Sequence, residues 1–307
     1  MRYLDPKNDL IFKRVFGEHP KITISFLNAL LPLVPGQEIL EIEYMQTELI
    51  PESPAILKNS IVDVMCRDSL GRQFIVEMQM FWTDAFINRV LFNATKVFYR
   101  QLLKGVDYVA LMPVYALSIV NENFEKETQD WYHHYQMKHQ KDTTKTLDAL
   151  HLIFVELPKF TSKNPIDKKL TVLWLRYLSE MDKLLSMNNE NFPLPPEILE
   201  AIELTKESNY TPEQLLAYDK YLDGIRTQEM YRKDAEARGE ARGEARGKAI
   251  GELIGEERGK AKGEAIGEAR GLEKLKATAR KLKELGILTN EQIAMISGLP
   301  ISEVENL

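Results

Sequence analysis

Three polar side chains stand inside two apolar runs. In IVDVMCRDSLGRQFIVEMQM, residues 61–80, Asp63 interrupts the first run and Glu77 and Gln79 the second. Ser69, Leu70 and Gly71 read as a three-residue hairpin loop, with Gly71 as the left-handed residue of a type I turn and G1 bulge. That loop pairs Asp68 with Arg72 and, counted back, Asp63 with Glu77. Alternation then puts Ile61, Asp63 and Met65 on one face with Ile75, Glu77 and Gln79. Val62, Val64, Val76 and Met78 line the other. A two-residue loop would pair Asp63 with Val76 and part the acids, but the turn chemistry favours the longer one.

Opposed residues of such a ladder have Cβ atoms about 4.5–5.5 Å apart. Two carboxylates there repel, the more so when partly buried. Protonation, a neighbouring Lys or Arg, or a divalent cation would relieve them. Mg²⁺ keeps several waters and needs only one or two carboxylates. It can activate a water and stabilise charge on a phosphodiester. Gln79, on the same face, can hold that water. The plainer reading of so loose a pattern is an edge hairpin whose acids face water.

The surrounding elements follow from periodicity. Phe12, Val15 and Phe16 form a helical stripe after Asp9, and Ile22 to Leu31 a second, closed by Pro32 and Pro35. Residues 39–50 alternate as a strand. Residues 83–105 predict a helix, with Phe86, Val90, Val97 and Leu102 at helical spacing and Gly105 as C-cap. MPVYALSIV and LHLIFVEL are buried strands. KKLTVLWLRYLSEM is an amphipathic helix, and the Pro-rich NFPLPPEIL opens another. This order predicts an α/β core with a mixed sheet.

The chain has 307 residues, 44% hydrophobic and 28% charged, with a formal net charge of −6. It is long enough for a sizeable core. Its overall charge does not advertise nucleic-acid binding, although a local basic patch is compatible with it. Cys66 is the only cysteine, so no internal disulfide forms, which suits a reducing cytoplasm. The charged N-terminus is no signal peptide, and no apolar run reaches membrane length. A cytoplasmic protein with no membrane partner is expected.

Four regions are expected: a domain over 1–185, a helical connector over 186–234, a repeat over 235–285, and a small helical hairpin over 286–307. The repeat places Gly at 239 and every fourth residue to 271, among Ala, Glu, Lys and Arg. Each Gly costs about 1 kcal/mol against Ala in a helix. A period of four overshoots the turn of ~3.6 residues, so the Gly groove winds right-handed around the helix. It serves either helix self-association or a solvated spacer. In the last segment, Ala294, Gly298 and Val304 fall at helix-turn-helix positions. The second helix carries Glu303 and Glu305 and no cation for phosphates, which favours a packing hairpin over a DNA reader.

WYHHYQMKH sets His133, His134 and His139 among aromatics. The spacing suits neither one helix face nor one strand face, so a polar-aromatic surface segment is expected, able at most to stack on unpaired bases. Cys66 reads as a core residue. The Gly repeat lacks the strand and Lys-Ser/Thr ending of a phosphate loop.

The hairpin resembles the core of the PD-(D/E)xK nuclease superfamily. With NDLIFKRVFG, FYRQLLKGVDY and MPVYALSIV in order around it, residues 3–160 closely resemble the Rpn-type family of recombination-promoting nucleases and transposases. The resemblance implies a restriction-endonuclease-like mixed sheet flanked by helices, with a C-terminal helical extension. It implies a Mg²⁺-dependent DNA endonuclease, with Mn²⁺ as a substitute. The Gly repeat of the tail is expected to join copies of the chain as a homo-oligomer. Position by position, Asp63 and Glu77 match the motif acids and would hold the metal with the Met78 backbone carbonyl. Gln79 stands where the motif has Lys. Asp9 matches a further acid less closely, and Tyr99 lies in the YRQ segment without an assigned role. The missing cation would come from Lys96 or Arg89. A catalytically silent DNA-binding or oligomeric scaffold is the alternative.

Overall fold

The computed structural model describes residues 2–49, 60–102, 105, 107–161, 169–188 and 193–307. Residues 50, 103–104, 168 and 191–192, which belong to four expected segments, lie outside them. Helices α1 (Asp9–Glu18) and α2 (Pro20–Leu30) lead into strands β1 (Ile42–Tyr44), β2 (Glu48–Leu49), β3 (Ser60–Ile61), β4 (Val64–Asp68) and β5 (Gln73–Gln79). Helix α3 (Asp84–Tyr99) precedes β6 (Val114–Val120), β7 (Tyr132–Lys138) and β8 (Thr146–Glu156). The chain continues through α4 (Leu170–Ser179), α5 (Met181–Met187), α6 (Pro196–Leu204), α7 (Pro212–Glu284), α8 (Asn290–Ser297) and α9 (Ile301–Glu305).

The main sheet has the order β1-β4-β5-β6-β8-β7. β5, β6 and β8 are parallel, and the pairs β1–β4, β4–β5 and β7–β8 are antiparallel. The mixed sheet with flanking helices and a long C-terminal helix is the restriction-endonuclease-like fold expected. Each face has its own core. Phe74, Val76, Tyr115, Leu117, Ile153 and Val155 pack under α1, α2, α4 and α6, around Phe16, Phe26, Trp174 and Tyr177. Alternate residues Ile75, Val114, Ala116 and Phe154 pack against Phe86, Val90, Ala94 and Val97 of α3. Burial on both faces explains the near-continuous apolar run of β6, interrupted at Ser118. Helix α6 and the first turns of α7 add Ile198, Ile202 and Tyr218 to the first core.

The hairpin has the predicted register. Val64 pairs with Val76 and Cys66 with Phe74. Gly71 has φ +84°, left-handed as the turn demands. The turn is sealed from inside: Asp68 Oδ1 accepts from the Leu70 and Arg72 backbone N–H groups, and Oδ2 from Arg72 Nε at 2.7 Å.

Four expectations need correction. Residues 39–50 are not one strand: β1 joins the main sheet and β2 pairs with β3 in a separate two-stranded one. Val62 does not share a face with Val64. The chain bends at Asp63, so Val62 packs with Met65 and Ile75, while Ile61 pairs with Glu48 and is exposed. Helix α3 stops at Tyr99, well before Gly105, and Leu102 lies beyond it. The histidine segment does lie at the surface, but as edge strand β7, which sends His133 and His134 to opposite faces. His133 Nε2 lies 2.7 Å from Glu156 Oε1, and His134 Nε2 lies 3.0 Å from His151 Nδ1.

The chain packs as two separate units, residues 1–226 and residues 227–307. Within the second, Ala279, Ile293, Ala294, Leu299 and Val304 form a small core. Gly298 is left-handed at the end of α8, and Glu303 of the short α9 pairs with Lys276 at 3.0 Å. A Cβ on any glycine from Gly239 to Gly271 would meet nothing within 4 Å.

Candidate active site

Helix α1 is held by Asn8, whose side-chain oxygen accepts from the N–H groups of Leu10 and Ile11. Its apolar face, Ile11, Phe12, Val15 and Phe16, enters the first core. A Cβ on Gly17 would lie 3.8 Å from Val64, so the helix runs close over β4. That brings Lys13, one turn earlier, beside Asp63, one residue before Val64. Lys13 Nζ is 2.7 Å from Asp9 Oδ1 and 3.7 Å from Asp63 Oδ1.

The ladder stops one pair short of Asp63 and Glu77. There the Met78 backbone N–H donates to Asp63 Oδ2 at 2.8 Å, so the Asp63 side chain turns back onto β5. Glu77 sits on β5 opposite Ser118 of parallel β6 and faces α3. It is buried. Asn93 Nδ2 donates to Glu77 Oε1 at 3.1 Å, and Arg89 Nη2 lies 3.5 Å from Oε2. Arg89 Nη2 also donates to Gln79 Oε1 at 2.7 Å, while Gln79 Nε2 donates to the Phe81 carbonyl. The guanidinium lies over the Phe86 ring, 4.8 Å from its centroid.

Burial raises the pKa of Asp63, and the Asp9 charge adds to it. The Met78 N–H, Lys13 and Arg89 work against it. Burial likewise raises Glu77, against the Asn93 hydrogen bond and Arg89, and the Asp63 charge raises it further. The largest influence on both is the cost of a charge in a poorly solvated place. Lys13 is raised overall. Burial, the largest single influence, lowers it, but Asp9 and then Asp63 outweigh that.

Asp63, Glu77, Met78 and Gln79 are thus neighbours, with Asp9 joined through Lys13. Of the two cations expected to stand in for the motif Lys, Arg89 reaches the acids. Lys96 is instead buried, with Nζ donating to the Leu49 carbonyl at 2.5 Å and lying over Phe92. Tyr99, the last residue of α3, is exposed and ten residues from Arg89, about 15 Å along the helix. Two residues that sequence reasoning missed stand against the acids: Lys13 and Asn93. Both carried a helical signal, Lys13 at i+4 from Asp9 and Asn93 at i+4 from Arg89.

The donor set is all hard oxygen, which fits Mg²⁺ or Mn²⁺. Both carboxylates are destabilised in their charged forms, which a cation between them would reverse. Among the described residues no group of three or more His, Cys, Asp or Glu is arranged to hold a metal.

A family model described as PD-(D/E)XK nuclease family transposase matches residues 6–235. The chain belongs to that family. The match runs through the hairpin, both cores and the start of α7, and so extends past the 3–160 of the resemblance. No curated protein and no solved structure gives a significant match. Membership places the chain among phosphodiester-cleaving, transposition-related proteins, a class that acts on DNA and typically uses a divalent metal. Among the described residues no helix is long and apolar enough to cross a membrane.

Proposed function

We propose that this nuclease-family chain is a Mg²⁺-dependent DNA endonuclease. The observation that carries the reading is the meeting of Asp63 and Glu77 at one end of the hairpin, each opposed by a cation. Asp63, Glu77 and the Met78 carbonyl would hold the metal. When bound, it would supply a Lewis acid and lower the pKa of a coordinated water. In hydrolysis the water oxygen bonds to phosphorus, the bond from phosphorus to the leaving sugar oxygen breaks, and a proton passes from the water side to the leaving side.

The side chains prepare that step. Gln79 is fixed at both ends, its oxygen by Arg89 and its nitrogen by Phe81. Each end keeps one hydrogen-bonding capacity, enough to orient a water. Arg89 keeps Gln79 and Glu77 together, and Asn93 fixes the Glu77 rotamer. The family name supports a setting in recombination or mobile elements.

A second reading concerns the tail. Nine glycines at a spacing of four, from 239 to 271 on an exposed stretch of α7, favour a homo-oligomer joined by close helix contact. If the acids are silent, that assembly is the working part and the chain is a DNA-binding scaffold. The test is cleavage of plasmid DNA with Mg²⁺ and with EDTA. Metal-dependent nicking that is lost in Asp63→Ala is expected. Full activity in Asp63→Ala sinks the nuclease assignment. A scaffold would show no Mn²⁺ site lost on Glu77→Ala.

A further inference from the structure

We infer that Lys13 of α1 is the catalytic cation that faces the scissile phosphate, standing in for the Lys that the hairpin lacks. The inference rests on the nuclease reading.

The motif position holds Gln79, which carries no charge. Among the described residues, the ion pairs that reach Asp63 and Glu77 come from Lys13 and Arg89. Arg89 is half exposed but committed to its partners. One of its nitrogens serves both Gln79 and Glu77, and its plane rests on Phe86. Moving it to a phosphate would release Gln79. Lys96 is turned away onto Leu49.

Lys13 is held more loosely. Among the described residues its ammonium has carboxylate partners alone, at 2.7 Å from Asp9 and 3.7 Å from Asp63. An exposed i,i+4 pair of this kind contributes little, so it yields readily to a phosphate. The stem is anchored by the buried face of α1, while the head can swing between Asp9 and a phosphate beside Asp63. A compact ammonium with three rotatable donors suits that task.

The clefts agree. Lys13 and Glu18 line two of them together, and Lys13 is the shared cation. One holds Asp63, Tyr44 and Thr47. The other, of 660 Å³, runs past Arg14 to Asn209, Gln214 and Tyr221. That second volume is in the range of small-ligand sites and would hold one nucleotide flanking the cleaved bond. A strand crossing from one cleft to the other passes its phosphate over Lys13.

The plain alternative is a surface ion pair of no consequence to chemistry. Single-turnover cleavage of duplex DNA by the full chain separates the two. Lys13→Met, Lys13→Arg and Asp63→Ala are compared, with DNA affinity measured in Ca²⁺ and folding checked by thermal melts. Lys13→Met is expected to cut the cleavage rate about 10²–10³-fold while DNA affinity changes by less than about tenfold, the pattern of a donor used in the transition state. Lys13→Arg should keep more than about a tenth of the rate, because the charge stays. Lys13→Met cleaving within about threefold of wild type, with Asp63→Ala dead, overturns the role of Lys13 alone. A wild-type chain as inert as Asp63→Ala overturns the nuclease reading and this inference with it.

Discussion

One nitrogen of Arg89 lies 2.7 Å from the Gln79 side-chain oxygen and 3.5 Å from a Glu77 oxygen. A Lys at position 79 could not accept that bond and would set two cations side by side. Arg89 therefore calls for an acceptor at position 79, which glutamine supplies and lysine does not, and the departure from the motif is a matched pair. Arg89→Met should lower the single-turnover cleavage rate roughly 10–100-fold, as expected when a positioning group beside the reacting water is lost. Unaltered cleavage would show that Gln79 needs no partner.

Glu77 and Asp63 are raised above the ordinary carboxyl range by burial. A carboxyl raised on folding binds its proton more tightly in the native state. Stability then falls as pH rises from the unfolded pKa, about 4, to the folded one. Glu77→Gln should therefore stabilise the metal-free protein at pH 7.5. That gain should vanish below about pH 4. The stabilisation by Mg²⁺ should be lost in the same variant. Thermal melts in EDTA and in Mg²⁺ at two pH values check all three; a destabilised variant at pH 7.5 in EDTA would contradict the sign.

His134 is lowered to about 4, first by burial and then by the His151 charge. His151 also accepts from Gln136, donates to Asp148 and stacks on Tyr115 at 4.2 Å, leaving no room for a second positive charge. A depressed histidine contributes stability above its unfolded pKa, about 6.5, which is lost as pH falls through the folded value. Urea melts at pH 7 and pH 4.5 should show a loss that His134→Gln reduces by ~2 kcal/mol, discounted for partial exposure. An undiminished loss would place the acid sensitivity elsewhere.

Replacing Gly243, Gly247, Gly251 and Gly255 with Ala adds methyl groups that meet nothing within the chain. Each replacement should favour the helix by about 1 kcal/mol, raising helicity by circular dichroism. The same methyls would block close approach of a second helix. Sedimentation should therefore show weaker self-association despite a better helix. Association that strengthens with helicity would instead mark the repeat as a spacer.

The hairpin was readable because its turn chemistry is local: Gly71 in third place sets the loop length, and the loop length sets every pair back to Val64. The acids followed from the register. What lay beyond reach depended on docking. Arg89, Asn93 and Lys96 share one face of α3, spaced by four and by three, and periodicity cannot say which end of that face meets Glu77. Lys13 was hidden likewise, because nothing in α1 says that Gly17 will lie against Val64. The faces of β7 were missed because strong polarity masked an edge strand, which needs only one apolar side. Val62 was misplaced because alternation was carried through Asp63, where the chain bends.

The buried Asp68–Arg72 pair closes the blunt end of the hairpin, five residues from the acids, about 17 Å along the strands. Arg72 also donates to the Gln37 carbonyl and lies over Phe74, so the turn is bolted to the body of the protein. The two acids thus ride on a stiff arm whose fulcrum is remote from the chemistry. Lesions at that fulcrum would misalign the cutting edge without touching it, and a screen for inactive variants would recover them beside the acids themselves.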